Sequence, residues 1–167
     1  MAETLVNWFA TTFEGLPGEL ITFIISMFPI LELRGGFISA ALFGIPYLAA
    51  VPICIIANII PIPFILAFIN KIFDWMKTTK HLGKLARKIE AKALSKSDTI
   101  RKYEFWGLLL FVGIPLPGTG AWTGALIACL LGVKIKKAVP AIFLGLIMAT
   151  IIMSFITYGI PFLVSMF

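Results

Sequence analysis

The chain has 167 residues, 60% of them hydrophobic and 13% charged, with a formal net charge of +6 and two cysteines. An ordinary soluble domain gives about a quarter of its residues to charge, so this composition excludes a water-solvated globule and makes the bilayer the solvent. Uncharged stretches over Gly35–Asn70, Phe105–Val133 and Ala138–Phe167 each exceed the ~20 residues that cross a ~30 Å hydrocarbon core.

A single membrane domain, residues 1–167, is expected. Met1 to Thr12 has no basic segment ahead of an apolar run, so no cleaved signal peptide is expected. Over 1–17, Leu5, Trp8, Phe9, Thr12, Phe13 and Leu16 share one side at helical spacing and Pro17-Gly18 ends the pattern, which predicts an interfacial helix. Residues 18–73 read as a first unit, a helical hairpin over 20–44 followed by a span over 46–70. Its arms, Leu20 to Leu31 and Phe37 to Phe43, flank a break at Glu32-Leu33-Arg34-Gly35-Gly36. Neither arm can cross alone, because about 12 residues of helix rise roughly 18 Å.

Over 74–103, Leu82, Leu85, Ile89 and Leu94 recur among Lys80, Lys84, Arg87, Lys88, Lys92 and Lys96, the pattern of a basic amphipathic linker on the membrane surface. Residues 104–167 read as a second unit, with a hairpin over 105–133 and a span over 138–164. Its arms, Phe105 to Gly113 and Ala121 to Leu131, flank Ile114-Pro115-Leu116-Pro117-Gly118-Thr119-Gly120, where two prolines and two glycines stop a helix. Pro52, Pro61, Pro63 and Pro140 are expected to bend the spans around the hairpins. Cys54 and Cys129 lie inside apolar runs and read as packing residues. His81 has no second histidine or cysteine nearby, so no metal site is expected.

Residue n matches residue n+88 at Pro29 and Pro117, Gly36 and Gly124, Ala40 and Ala128, Leu42 and Leu130, Gly44 and Gly132, and at Ala50-Val51-Pro52 and Ala138-Val139-Pro140. The matched glycines and prolines set backbone shape, so a duplicated unit is expected. Of the 14 basic residues, 13 lie between Lys71 and Lys102 or at Lys134, Lys136 and Lys137, which puts both clusters on the cytoplasmic side. Both ends of the second hairpin are therefore cytoplasmic and it is expected to be re-entrant. By repeat symmetry the first hairpin enters from and returns to the outside. One crossing separates the units, so the expected fold is all-α integral membrane, an inverted repeat of two re-entrant helical hairpins and two full transmembrane helices, with amphipathic interfacial helices. Transporter sites in such repeats lie at mid-membrane between discontinuous helices.

Glu32 and Arg34 are the only charges at the expected membrane depth, where an ionisable residue marks a substrate or proton pathway by default. Their structural alternative is to pair with each other or with backbone carbonyls and hold the hairpin tip. Arg34 can grip a phosphate or carboxylate bidentately. Glu32 can exchange a proton or compete with substrate for Arg34, which would couple transport to a proton gradient. From the second hairpin, Thr119, Thr123, Trp122 and the amides around Gly118 and Gly120 are the facing candidates, since amides at a half-helix start bind anions without a charged side chain; close helix packing is the other role open to those glycines. Asn58 is a helix–helix hydrogen-bond donor or a substrate contact.

The segments Glu32-Leu33-Arg34-Gly35-Gly36 and Pro115-Leu116-Pro117-Gly118-Thr119-Gly120-Ala121-Trp122-Thr123-Gly124-Ala125 resemble the small multidrug export protein family, a distant relative of the DedA family of membrane proteins, over nearly the whole chain. The resemblance implies two facing re-entrant hairpins in a prokaryotic plasma membrane, recycling of polyprenyl-phosphate carrier lipids in bacterial relatives, and hairpin acids and arginines as working groups, here Glu32 and Arg34. DedA proteins carry arginines beside the proline–glycine of the second hairpin; this chain has none there.

The expected function is a secondary transporter or flippase of an anionic lipid, polyprenyl phosphate in the first instance. Arg34 and the glycine amides would hold the headgroup, with Glu32 as proton-coupled switch. The alternatives are an exporter of amphipathic cations, with Glu32 as counter-ion, and a non-transport assembly protein. No enzyme chemistry is expected, since His81, Asp74 and Asp98 have no companion motif. No cofactor is expected beyond a proton or sodium gradient. Basic residues that flank spans exclude a nucleic-acid partner in favour of lipid headgroups, and two polar hairpins in so small a protein predict a homodimer.

Overall fold

The computed structural model describes residues 15–79, 82–94, 105–116 and 118–166, together with positions 4, 8, 11 and 12. The interfacial helix expected over 1–17, His81 and the end of the linker lie outside the described residues or largely so. All described elements are helical: α1 Gly18–Met27, α2 Glu32–Leu42, α3 Tyr47–Ile59, α4 Pro61–Thr78, α5 Leu82–Leu94, α6 Phe105–Gly113, α7 Ala121–Leu130 and α8 Ile135–Ser154, which runs through a π-helical turn at Phe155–Gly159 into α9 Ile160–Val164.

The first hairpin breaks earlier than expected. Glu32-Leu33-Arg34-Gly35-Gly36 is not the break but the opening turn of α2. The chain turns at 28–31 because Pro29 pushes the residue before it out of the helical region; Phe28 sits at φ −78°, ψ 131°. Gly35 and Gly36 serve close approach instead. A Cβ on Gly36 would run into the Ser26 hydroxyl and the Cys54 thiol, and one on Gly35 would lie 2.6 Å from Leu31 Cβ. Thr22 bonds Ser39 at 3.0 Å while Ser26 faces Gly36, so α1 and α2 run antiparallel.

The arms of the second hairpin are α6 and α7, split over 114–120. Both hairpins leave by the same turn. Gly44 (φ +65°) and Gly132 (φ +67°) each stand just past a helix end. The residue after each donates five residues back, Ile45 to the Ala40 carbonyl and Val133 to the Ala128 carbonyl, both at 2.9 Å. This is the glycine-capped stop that only φ > 0 permits. After both turns the chain resumes a helix at once, α3 after Pro46 and α8 after Lys134. The turn thus recurs at the 88-residue offset seen in the sequence, down to its hydrogen bonds.

Among the described residues, two helical runs are long and apolar enough to cross a membrane, Tyr47–Ile69 and Ile135–Val164, each of mean hydropathy 2.4. The first continues through Ile60 despite Pro61 and Pro63, and as α4 it extends past Asn70 to Thr78 before the linker helix α5 begins. Large side chains on both runs face outward, among them Ile56, Phe64, Phe68, Leu144, Ile151 and Phe162, a surface that suits hydrocarbon as solvent. Inside, Phe37 of α2, Leu108 and Val112 of α6, Ala125 and Ala128 of α7, and Ala141 and Leu146 of α8 form one core. Small residues bring the helices close: a Cβ on Gly145 of α8 would sit 2.7 Å from the Leu109 carbonyl oxygen of α6, the packing mode that drives helix association in lipid. On the linker, Lys77 bridges to Glu90 at 2.9 Å and ties α4 to α5.

Candidate functional site

The core joins the two hairpin tips, and the two charges of the first tip each engage the backbone of the second. Glu32 opens α2 with φ +49°, a left-handed conformation that costs a non-glycine residue on the order of 1–3 kcal/mol. Its side chain supplies the compensating contacts. Oε2 accepts from the Ala121 amide at 3.0 Å and Oε1 from the Trp122 amide at 3.2 Å. These are the unsatisfied N–H groups at the start of α7, where the helix dipole also favours a negative charge. The helix has no cap of its own, because its N-cap is Gly120; Glu32, from the opposite hairpin, is the cap.

Gly120 makes that possible. It lies at φ 126°, ψ −176°, and a Cβ there would overlap the Glu32 carboxylate.

Arg34, half-buried, reaches the same tip from the other side. Nη1 donates to the Leu116 carbonyl and Nη2 to the Thr119 carbonyl, with a longer contact of 3.3 Å to Thr119 Oγ1. The Thr119 hydroxyl accepts from the Leu116 amide at 3.1 Å and lies 2.9 Å from the Ile114 carbonyl, so it braces the loop whose carbonyls Arg34 holds. Acid on amides and base on carbonyls together form a reciprocal clasp. Each ion spends its bonds on the far hairpin, and among the described residues the only ion pair within 4.0 Å is Lys77–Glu90.

The structure therefore gathers Glu32, Arg34, Thr119, Gly120 and Trp122 at one place. Gly118 lies in the same loop at φ +79°, and Thr123 follows in the first turn of α7. Trp122 Nε1 is buried without a partner among the described residues. Asn58 is engaged elsewhere. It donates from Nδ2 to the Ser26 carbonyl at 3.2 Å, pinning α3 to α1, and its buried Oδ1 has no partner among the described residues. Asn58→Ala should cost only roughly 0.6 kcal/mol, the usual worth of such a bond in a membrane protein, which equilibrium unfolding in mixed detergent would measure.

Sequence reasoning missed three contributors. The Leu116 carbonyl is a backbone group with no side-chain signature. The buried Thr22, Ser26 and Ser39 cluster had one available signal, Thr22 and Ser26 four residues apart inside an apolar arm. Tyr158, donating to the Ile45 carbonyl at 3.0 Å, secures the glycine turn after α2 from the second span.

A model of the family described as "Putative small multi-drug export protein" matches residues 32–152, well over half of the chain. The match begins at Glu32 and takes in both tips. No curated protein and no solved structure matches the chain.

Proposed function

The chain belongs to the small multi-drug export protein family, and from that premise we propose that it is a proton-coupled secondary exporter of small amphipathic molecules, gated by the Glu32–Arg34 clasp. The observation that carries this reading is the reciprocal bonding of the two tips across the core.

In this reading both hairpins are re-entrant and the repeat is inverted. Arm lengths support it: α1, α2, α6 and α7 have 10, 11, 9 and 10 residues, a rise of roughly 15 Å each, half a hydrocarbon core. The tips then meet near mid-membrane and close the path between the two faces. An ionised Glu32 holds the start of α7. Protonation removes the charge that those amides and the helix dipole retain, the hold weakens, and the hairpins can part. A cationic amphiphile competes for Glu32 directly, and exchange of a proton for a cation at one carboxylate is the simplest coupling. A second copy packed against the tips, giving a homodimer in a prokaryotic plasma membrane, would shield them from lipid.

A second reading has one observation in its favour: the start of α7 is built to hold an anion, here the protein's own carboxylate. An anionic lipid headgroup such as polyprenyl phosphate could displace Glu32 and take Arg34 as well.

The test is transport in sealed proteoliposomes with an imposed pH gradient, using a cationic dye in one arm and a fluorescent anionic lipid in the other. Gradient-driven dye movement that Glu32→Gln abolishes supports the exporter. Lipid movement without dye movement replaces it with the second reading, and flux no greater than in protein-free vesicles for both probes overturns transport altogether.

A further inference from the structure

Away from the clasp, α8 and the α3–α4 run enclose an apolar cleft of about 250 Å³. Ile135, Val139, Phe143 and Leu146 line its α8 side, and Pro63 and Leu66 face them. Val139 and Phe143 are nearly half exposed, so the cleft opens to the outside of the protein, where lipid lies.

Two features say what fills it. The α8 lining starts at Ile135, the first residue of the helix, and its neighbours Lys134 and Lys136 are both exposed. A basic pair therefore stands at one end of an otherwise apolar slot, at the end of a membrane-spanning run. From Ile135 to Leu146 the helix rises roughly 16 Å, about the depth of one leaflet of a ~30 Å core. The slot thus begins at the headgroup level and ends where an acyl chain ends.

We propose that this cleft is a binding site for one anionic phospholipid, its acyl chain lying along α8 and its phosphate between Lys134 and Lys136. A zwitterionic lipid could fill the slot, but its own cation already offsets the phosphate and repels the lysines, whereas an anionic lipid leaves its phosphate charge to them. Lysines near a membrane surface attract anionic headgroups strongly enough that losing both should weaken binding on the order of 30-fold. The site is separate from the clasp and does not rest on the transport reading.

Native mass spectrometry of the delipidated full-length protein, titrated with phosphatidylglycerol and separately with phosphatidylcholine, tests it. Wild type should bind phosphatidylglycerol in preference. Lys134→Gln with Lys136→Gln should lose that preference while binding phosphatidylcholine as before. Ala67→Trp, which fills the slot from α4 with both lysines intact, should lose the phosphatidylglycerol adduct. Equal binding of the two lipids by wild type, or an unchanged adduct in folded Ala67→Trp, would overturn the assignment.

Discussion

Gly120→Ala is expected to abolish export and to destabilise the protein by at least about 3 kcal/mol. Two costs add. An alanine at φ 126°, ψ −176° occupies a region of backbone space that is essentially glycine's alone. Its Cβ would also overlap the Glu32 carboxylate, so Glu32 must leave the Ala121 and Trp122 amides and remain as a buried charge with fewer partners. The control is Gly132→Ala. That glycine has φ +67° but nothing within 4 Å of an added Cβ, so only the conformational cost of roughly 1 kcal/mol applies. Thermal melting in detergent and dye export should separate the pair: Gly132→Ala folded and active, Gly120→Ala inactive and far less stable. Equal losses in both would mean that the Glu32 contact contributes little.

Glu32→Gln carries the second large effect, and it falls on coupling more than on folding. Glutamine keeps the length of the side chain and one acceptor oxygen, so it can retain a single amide of α7. It removes the charge, and charge-assisted hydrogen bonds are about twice as strong as neutral ones. The clasp weakens by roughly 1–3 kcal/mol, and gradient-driven export should fall at least about tenfold. The direction with pH follows from charge alone. If Glu32 holds the start of α7 when ionised, as proposed, acidification should loosen the tips and alkalinity should tighten them. Arg34, the other charge at the tip, stays cationic throughout that range. Export by the glutamine variant should therefore lose its dependence on the gradient, which transport measured at matched and unmatched internal pH would show. A variant that still follows the gradient would move the coupling group elsewhere.

How much of this was legible in the sequence depended on whether the cue was a side chain or a backbone group. The second hairpin could be read closely, since Pro115, Gly118 and Gly120 leave α6 and α7 no way to join. The first could not. Gly35 and Gly36 look like a break, yet inside α2 they let α1 and α3 come near. The true turn follows from Pro29 acting on Phe28, and the correspondence of Pro29 with Pro117 already pointed there. Asn70 seemed to end the first span, but a single polar residue does not stop a helix, and α4 runs on to Thr78.

At the candidate site, Glu32, Arg34 and the Thr119–Gly120 segment stood out as charge at membrane depth facing a helix start. What could not be read was the pairing. The anion at the start of α7 is the chain's own carboxylate, and the guanidinium grips carbonyls instead of standing ready for a phosphate. Those partners are amides and carbonyls common to every residue, and only the approach of the two hairpins selects them.

The most direct test of the clasp is the distance between the tips. Spin labels at Ile30 and Leu116, both exposed on the two turns, report it by pulsed electron resonance in lipid nanodiscs. A gate held by Glu32 predicts one short distance in the wild type at alkaline pH, with a longer population that grows on acidification and dominates in Glu32→Gln whatever the pH. A single short distance, unchanged by acid and by the substitution, would contradict it and leave the paired tips as a fixed structural joint.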